Sequence, residues 1–259
     1  MASGGNEHLT TEQVTYLLSI VSENNAIVIG GQSVNIWAGY YSDRSPALSG
    51  YGPFTSKDID FYRNREAAER LADVLDGELF IPELGNETPN AAVVVGSLNG
   101  RRIEIDFLRV VLGVSDKSLT ENYVVLLGSD PTTGNEIRIL LMHPLDCVRS
   151  RLANINILGR HGQLSISQGY ASIEVLRLFL DDMLAQGEFQ KVQKCLRDLE
   201  HLGRTVWAGT PAHLRHGLDI LPLMRGFLDR DELDHRWRTL TLSKAIGRLE
   251  LRVAACGSR

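Results

Sequence analysis

The chain has 259 residues, 43% hydrophobic and 23% charged, the balance of an ordinary folded protein rather than a disordered or low-complexity one. That length suits one large domain or two modest ones with a substantial core. A net charge of -5 excludes a generic nucleic-acid binder held by bulk charge and leaves a local basic patch as the electrostatic route to RNA or DNA.

Met1 to His8 is small and polar, without the basic-then-apolar order of a signal peptide. Thr10 to Glu23 places Val14, Leu17, Leu18 and Val21 at helical spacing. Ala26 to Ile29 reads as a short buried strand that ends at Gly30-Gly31, and Gln32 to Tyr41, with Val34, Trp37 and Ala38 on one side, reads as a following helix. Ser42 to Thr55 is rich in Gly, Pro and Ser and predicts a loop, either a lid or acceptor-binding loop or a passive surface one. Asp58 to Tyr62 predicts a strand and Arg65 to Leu75 a helix. Ala91 to Gly96 and Arg101 to Val111 predict neighbouring strands joined at Leu98-Asn99-Gly100, and Tyr123 to Leu127 with Ile137 to Leu141 a further pair.

From Pro144, a residue suited to a first helical turn, the period becomes helical throughout, with helices expected over Tyr170 to Ala185, Phe189 to Leu202, Pro211 to Phe227 and Asp231 to Ala255. The domain boundary is expected near Met142-His143. The fold class is α+β: a small mixed β-sheet with flanking helices over 1–142, then a helical domain over 143–259. No apolar run approaches the roughly 18 residues that a membrane helix needs. Cys147, Cys195 and Cys256 form no CxxC pair, which fits a reduced, cytoplasmic setting and argues against structural zinc.

The segment with most chemical content is Ser56-Lys57-Asp58-Ile59-Asp60-Phe61. On a strand, residues i and i+2 share a face, so Asp58 and Asp60 project together while Ile59 and Phe61 face the core. Carboxylates that close repel unless a proton or cation lies between them, and Mg²⁺ suits an all-oxygen site that also meets phosphates. Arg102-Ile103-Glu104-Ile105-Asp106-Phe107-Leu108 repeats the alternation. If the two strands are adjacent, three or four carboxylates converge, an arrangement suited to two-ion phosphoryl transfer. The competing explanation is a half-exposed strand with solvated acids. Gly30 and Gly31, between strand and helix, let backbone N–H groups approach phosphate oxygens, with the Ser33 hydroxyl as an added donor; a plain tight turn is the alternative. Trp37 and Trp207 are expected in the core, and the stretch Asp229 to Arg238 is either an RNA contact or a solvated helix face.

Taken in order, a strand ending in Gly-Gly, a helix, Ser-x-Asp-h-Asp-h with h apolar, and a further acidic strand resemble the DNA polymerase β nucleotidyltransferase superfamily. Within it, IGGQSVNIWA, GPFTSKDIDF and IEIDFL are similar to the AbiEii-type branch, which includes toxins of toxin–antitoxin and phage-defence systems. The resemblance covers about Ala26 to Leu108 and continues loosely to about Leu184. It implies an Mg²⁺-dependent nucleotidyltransferase that moves a nucleoside monophosphate from an NTP to an acceptor hydroxyl, with tRNA or other RNA, a protein side chain or a small molecule as acceptor and a cognate antitoxin as partner. Gly30, Gly31 and Ser33 would hold the triphosphate, Asp58 and Asp60 the metal ions, and Asp106 would be the third carboxylate and general base, with Glu104 either a supporting or a merely solvated acid. Arg160 matches the start of a basic element of the family, but its Lys-Asp pair is missing here, with Gln168 in that neighbourhood; Lys57, Arg149 and Arg151 are the candidate substitutes. That departure keeps a non-catalytic nucleotide-binding sensor or partner module as the alternative, and a metal-dependent nuclease as a remote one.

Overall fold

The computed structural model describes residues 8–52, 58–83, 85–130 and 133–257, and the chain is α+β. It divides into two units, 1–39 with 52–147, and 40–51 with 148–259. The division falls five residues after the expected boundary and assigns a segment of the presumed loop to the helical unit.

The first unit is built on one mixed sheet. In chain order its elements are α1 (Thr11–Val21), β1 (Ile27–Ile29), α2 (Gly30–Tyr40, whose last residue passes to the second unit), β2 (Ile59–Tyr62), α4 (Arg65–Val74), β3 (Glu78–Phe80), β4 (Asn90–Leu98), β5 (Arg101–Leu108), α5 (Asp116–Glu121), β6 (Val124–Ser129) and β7 (Glu136–Leu141), with α3 (Pro46–Tyr51) belonging to the second unit. The strand order is β3-β4-β5-β2-β1-β7-β6. Pairing is parallel for β2 with β5 and β1 with β7, and antiparallel for the other neighbours.

Local chemistry accounts for most of these elements. Thr10 caps α1 in a capping box with Gln13. The β4–β5 hairpin turns at Asn99 (φ 52°) and Gly100 (φ 75°), the pair of positive φ values that a tight two-residue hairpin turn requires and that Asn-Gly tolerates. One face of the sheet is apolar: Val94, Ile105 and Ile59 lie side by side, Phe61 stacks on Phe107 with centroids 5.3 Å apart, and all five side chains are fully or almost fully buried. On α2 the indole N–H of Trp37, fully buried as expected, donates to the Met142 carbonyl at 3.0 Å. Trp37→Phe removes that donor and leaves a void, so urea unfolding should show a loss of about 2–4 kcal/mol; a loss under about 0.5 kcal/mol would refute this account of the core.

The second unit is helical: the remainder of α6 (Pro144–Asn156), then α7 (Gln163–Ala185), α8 (Phe189–Leu202), α9 (Pro211–Leu214), α10 (Leu221–Gly226) and α11 (Ser243–Gly257). Trp207 is fully buried in its core. The continuous helix expected over Pro211 to Phe227 is instead two, because Gly217 adopts φ 65° between them and Pro222 fits only a first turn. The helix expected from Asp231 is helical from His235, passing through a π-helical stretch Trp237–Leu242 into α11.

The presumed loop Ser42 to Thr55 is corrected over its described part: a 3₁₀ turn Ser42–Arg44 leads into α3, while residues 53–57 lie outside the described ones. Polar bonds to α7 order this segment. Tyr41 and Arg44 both donate to Asp182, at 2.9 and 2.5 Å, Ser45 donates to Glu174 at 2.6 Å, and Tyr51 stacks on Tyr170. Burial raises the Glu174 pKa, but the Arg177 and Ser45 hydrogen bonds outweigh it and hold the group below its ordinary 4.5. A carboxyl depressed in the folded state stabilises above its unfolded pKa and loses that contribution as pH falls through the folded value. Acid titration should therefore loosen the 40–51 segment below pH 4.5, read as new proteolytic cuts there, with Glu174→Gln cut to a similar extent at pH 4 and pH 7. Equal pH dependence in both proteins would exclude Glu174 as the titrating group.

Candidate active site

Three sequence motifs meet on the sheet face opposite the apolar one. In the parallel pair, Asp60 of β2 lies directly beside Asp106 of β5, and in the antiparallel pair Asp60 lies beside Ile29 of β1, the residue before Gly30. Gly30 opens α2 with φ 68°, and a Cβ built on it would stand 2.5 Å from Asp60 Oδ2. The Asp60 carboxylate thus sits against the start of a helix, where backbone N–H groups lack intrahelical acceptors and favour an anion. Gly31 follows in the same first turn, half-buried.

Asp58 lies one residue before β2, exposed, rather than inside the strand. Burial pushes the Asp106 carboxyl above its ordinary range, and the negative charges of Glu104 and Asp58 push it the same way, against the Asn90 amide, which donates to Asp106 Oδ1 at 2.8 Å. Asp58, Glu104 and Asp106 therefore form one repelling group. Glu104 is exposed on the same strand face as Asp106, within electrostatic reach of it. Among the described residues, no three His, Cys, Asp or Glu side chains are gathered as a ready-made metal site. What fits a divalent cation is the donor chemistry: oxygen-only carboxylates on adjoining strands whose mutual repulsion a cation would relieve.

Of the remaining candidates, Ser33 belongs to the first unit, and Arg149, Arg151 and Arg160 belong to the second. Ser33 is fully buried with its hydroxyl 3.6 Å from Cys147 Sγ, which corrects the expectation of an open phosphate donor. The reason is helical phase: Ser33 and the core residue Trp37 are four apart and share the inward side of α2. Lys57 lies outside the described residues. Arg160 is exposed in the stretch between α6 and α7 of the second unit, its backbone N–H donating to the Asn154 carbonyl. Of the candidate substitutes, Arg151 is 7% exposed and donates to the buried Gln168 at 3.0 Å, and Arg149 stands 3.9 Å from Asp198. In the stretch Asp229 to Arg238, Arg230 pairs with Asp181, and Arg238 donates to Asp231 and to the Leu228 carbonyl.

Asn90 is the site residue that sequence reasoning missed. The alternation predicts a strand only from Ala91, whereas β4 starts at Asn90, and a register shift between Asn90 and Ala92 turns its amide toward Asp106. A β-bulge leaves no mark in the hydrophobic pattern. No protein-family model, curated protein or solved structure matches the chain. Among the described residues no helix is long and apolar enough to cross a membrane.

Proposed function

We propose that the first unit is a nucleotidyltransferase, moving a nucleoside monophosphate from an NTP to an acceptor hydroxyl and releasing pyrophosphate. The observation that carries this reading is the meeting of Gly30, Asp60 and Asp106 across three adjacent strands, which joins an anion-favouring helix start to clustered carboxylates. Gly30 and Gly31, at the start of α2, receive the triphosphate on backbone N–H groups. Asp106 accepts the proton of the acceptor hydroxyl as its oxygen bonds to the α-phosphorus, and the bond from that phosphorus to the pyrophosphate oxygen breaks. Asp58, Asp60 and Asp106 are the residues that would hold Mg²⁺, which when bound supplies neutralisation of the triphosphate and of the leaving group. Asn90 orients Asp106 through its 2.8 Å hydrogen bond. An RNA acceptor and a cognate antitoxin accompany this reading through the sequence resemblance, and a cytoplasmic setting through the cysteine pattern.

A second reading, an NTP-binding module without turnover, is favoured by the burial of the Ser33 hydroxyl, which withdraws one expected phosphate donor. The two separate in one experiment. Each α-labelled NTP is incubated with the protein, Mg²⁺ and total cellular RNA, beside Asp58→Ala/Asp60→Ala. Label moved to RNA or protein by the unaltered chain alone supports transfer. NTP binding by calorimetry with no label moved, on RNA, protein or a panel of small hydroxyl acceptors, supports the module.

A further inference from the structure

The open face of the sheet continues past the carboxylates to an apolar surface. Register places Asp60, Asp106, Val93 and Phe80 side by side on consecutive strands β2, β5, β4 and β3, all on one face. Strands lie about 4.8 Å apart, so Val93 is one strand and Phe80 two strands, roughly 10 Å, from Asp106. Phe80, the last residue of the short edge strand β3, is 50% exposed, and Ile81, just past it, is 44% exposed. Beside them lies a depression of about 620 Å³, with Phe80, Ile81 and Val93 as apolar lining and Asn86 and Asn90 supplying amides. Asn90 belongs to both places: it lines the depression and donates to Asp106.

We propose that this depression is the acceptor subsite and takes the base of a nucleoside, whose sugar hydroxyl is then presented to Asp106. The proposal rests on the transferase reading above. An aromatic face next to a β-branched side chain stacks a flat ring, and neighbouring amides offer both donors and acceptors to the edge of a base. Charge sets the class of ligand. Among the described residues the lining contains Glu87 and no Lys, Arg or His, so it offers no positive charge to a phosphate and selects a neutral ring over the backbone of a long nucleic acid. A terminal nucleoside, whose base enters while its phosphates stay outside, meets both conditions.

The test uses the four free ribonucleosides as probes, with binding to the whole chain read by saturation-transfer NMR and titration, and NTP binding measured separately by calorimetry. Phe80→Ala should weaken nucleoside binding about tenfold or more, the size of one lost base–aromatic stack, and leave NTP affinity unchanged. Phe80→Trp should restore nucleoside binding, which a merely structural role for Phe80 would not produce. A melting curve verifies that both variants fold. Nucleosides that bind the unaltered chain and Phe80→Ala equally, or that bind neither while NTP binding holds, overturn the subsite and leave the transferase reading standing. Preferential capture of a tyrosine-containing peptide also overturns it, in favour of a protein acceptor. Absence of any NTP binding overturns the transferase reading itself, and the acceptor role with it.

Discussion

Asp106→Asn should reduce nucleotidyl transfer by about a thousandfold or more and leave the protein at least as stable as before. The activity loss follows from the proposed role: a positioned general base contributes about 10²–10⁴ in rate, and the same substitution removes one anionic oxygen from the proposed Mg²⁺-holding carboxylates. Stability moves the other way because the carboxylate is costly to the fold. Burial raises its pKa, Glu104 and Asp58 raise it further, and the Asn90 hydrogen bond offsets only part of this. A raised carboxyl pKa means that the folded chain holds the proton more tightly than the unfolded chain. That contribution is complete below the ordinary value of 3.8 and is lost as pH rises through the folded value, so at neutral pH the charge opposes folding. Asparagine removes the charge and keeps an oxygen for the Asn90 amide. The melting temperature of Asp106→Asn should therefore equal or exceed that of the unaltered chain at pH 7, with the difference shrinking toward acid pH. Transfer within tenfold of normal would eliminate Asp106 as the base. A marked fall in melting temperature would show that Asp106 serves the fold.

Gly30→Ala should damage stability and activity together. Gly30 has φ 68°, and a side chain there costs about 1–2 kcal/mol in backbone strain. The added Cβ would also stand 2.5 Å from Asp60 Oδ2, closer than such atoms approach, so the carboxylate must swing away from the start of α2. Urea unfolding should show a loss of about 2 kcal/mol or more. Label transfer should fall to the level of Asp60→Ala, since the substitution displaces the same group. Gly39→Ala provides the control on the same helix: its Cβ meets nothing within 4 Å, and it should be neutral or slightly stabilising. If Gly30→Ala transfers normally, the closeness of Asp60 to the helix start has no bearing on catalysis.

Features that depend on neighbouring residues were readable before any contact was known. Alternation in Arg101–Leu108 determined which side of β5 faces the core, Asn99-Gly100 determined the hairpin turn, and helical spacing determined α1, α7 from Tyr170 onward and α8, with Phe189–Leu202 predicted to the residue. The sequence also brought out Gly30, Asp60 and Asp106 as separate motifs, because glycine at a strand end and acids at period two have local signatures. Tertiary structure decided the rest. The segment 42–51 has loop-like composition, yet forms α3 because Glu174 and Asp182, far along the chain, supply its partners. Three-residue β3 is too short to show a period and exists through pairing with β4. Ser33 turned inward because the phase of α2 is set by what it packs on. Most of all, the parallel pairing of β2 with β5 is a contact between distant segments that no local pattern encodes. That pairing sets Asp60 beside Asp106 and, through β4, brings Phe80 into the same row. Period and turn chemistry act over a few residues, whereas register is chosen by burying one whole face of the sheet, so the motifs were legible singly, while their meeting entered the sequence reading only on the condition that the two strands adjoin and through the family resemblance.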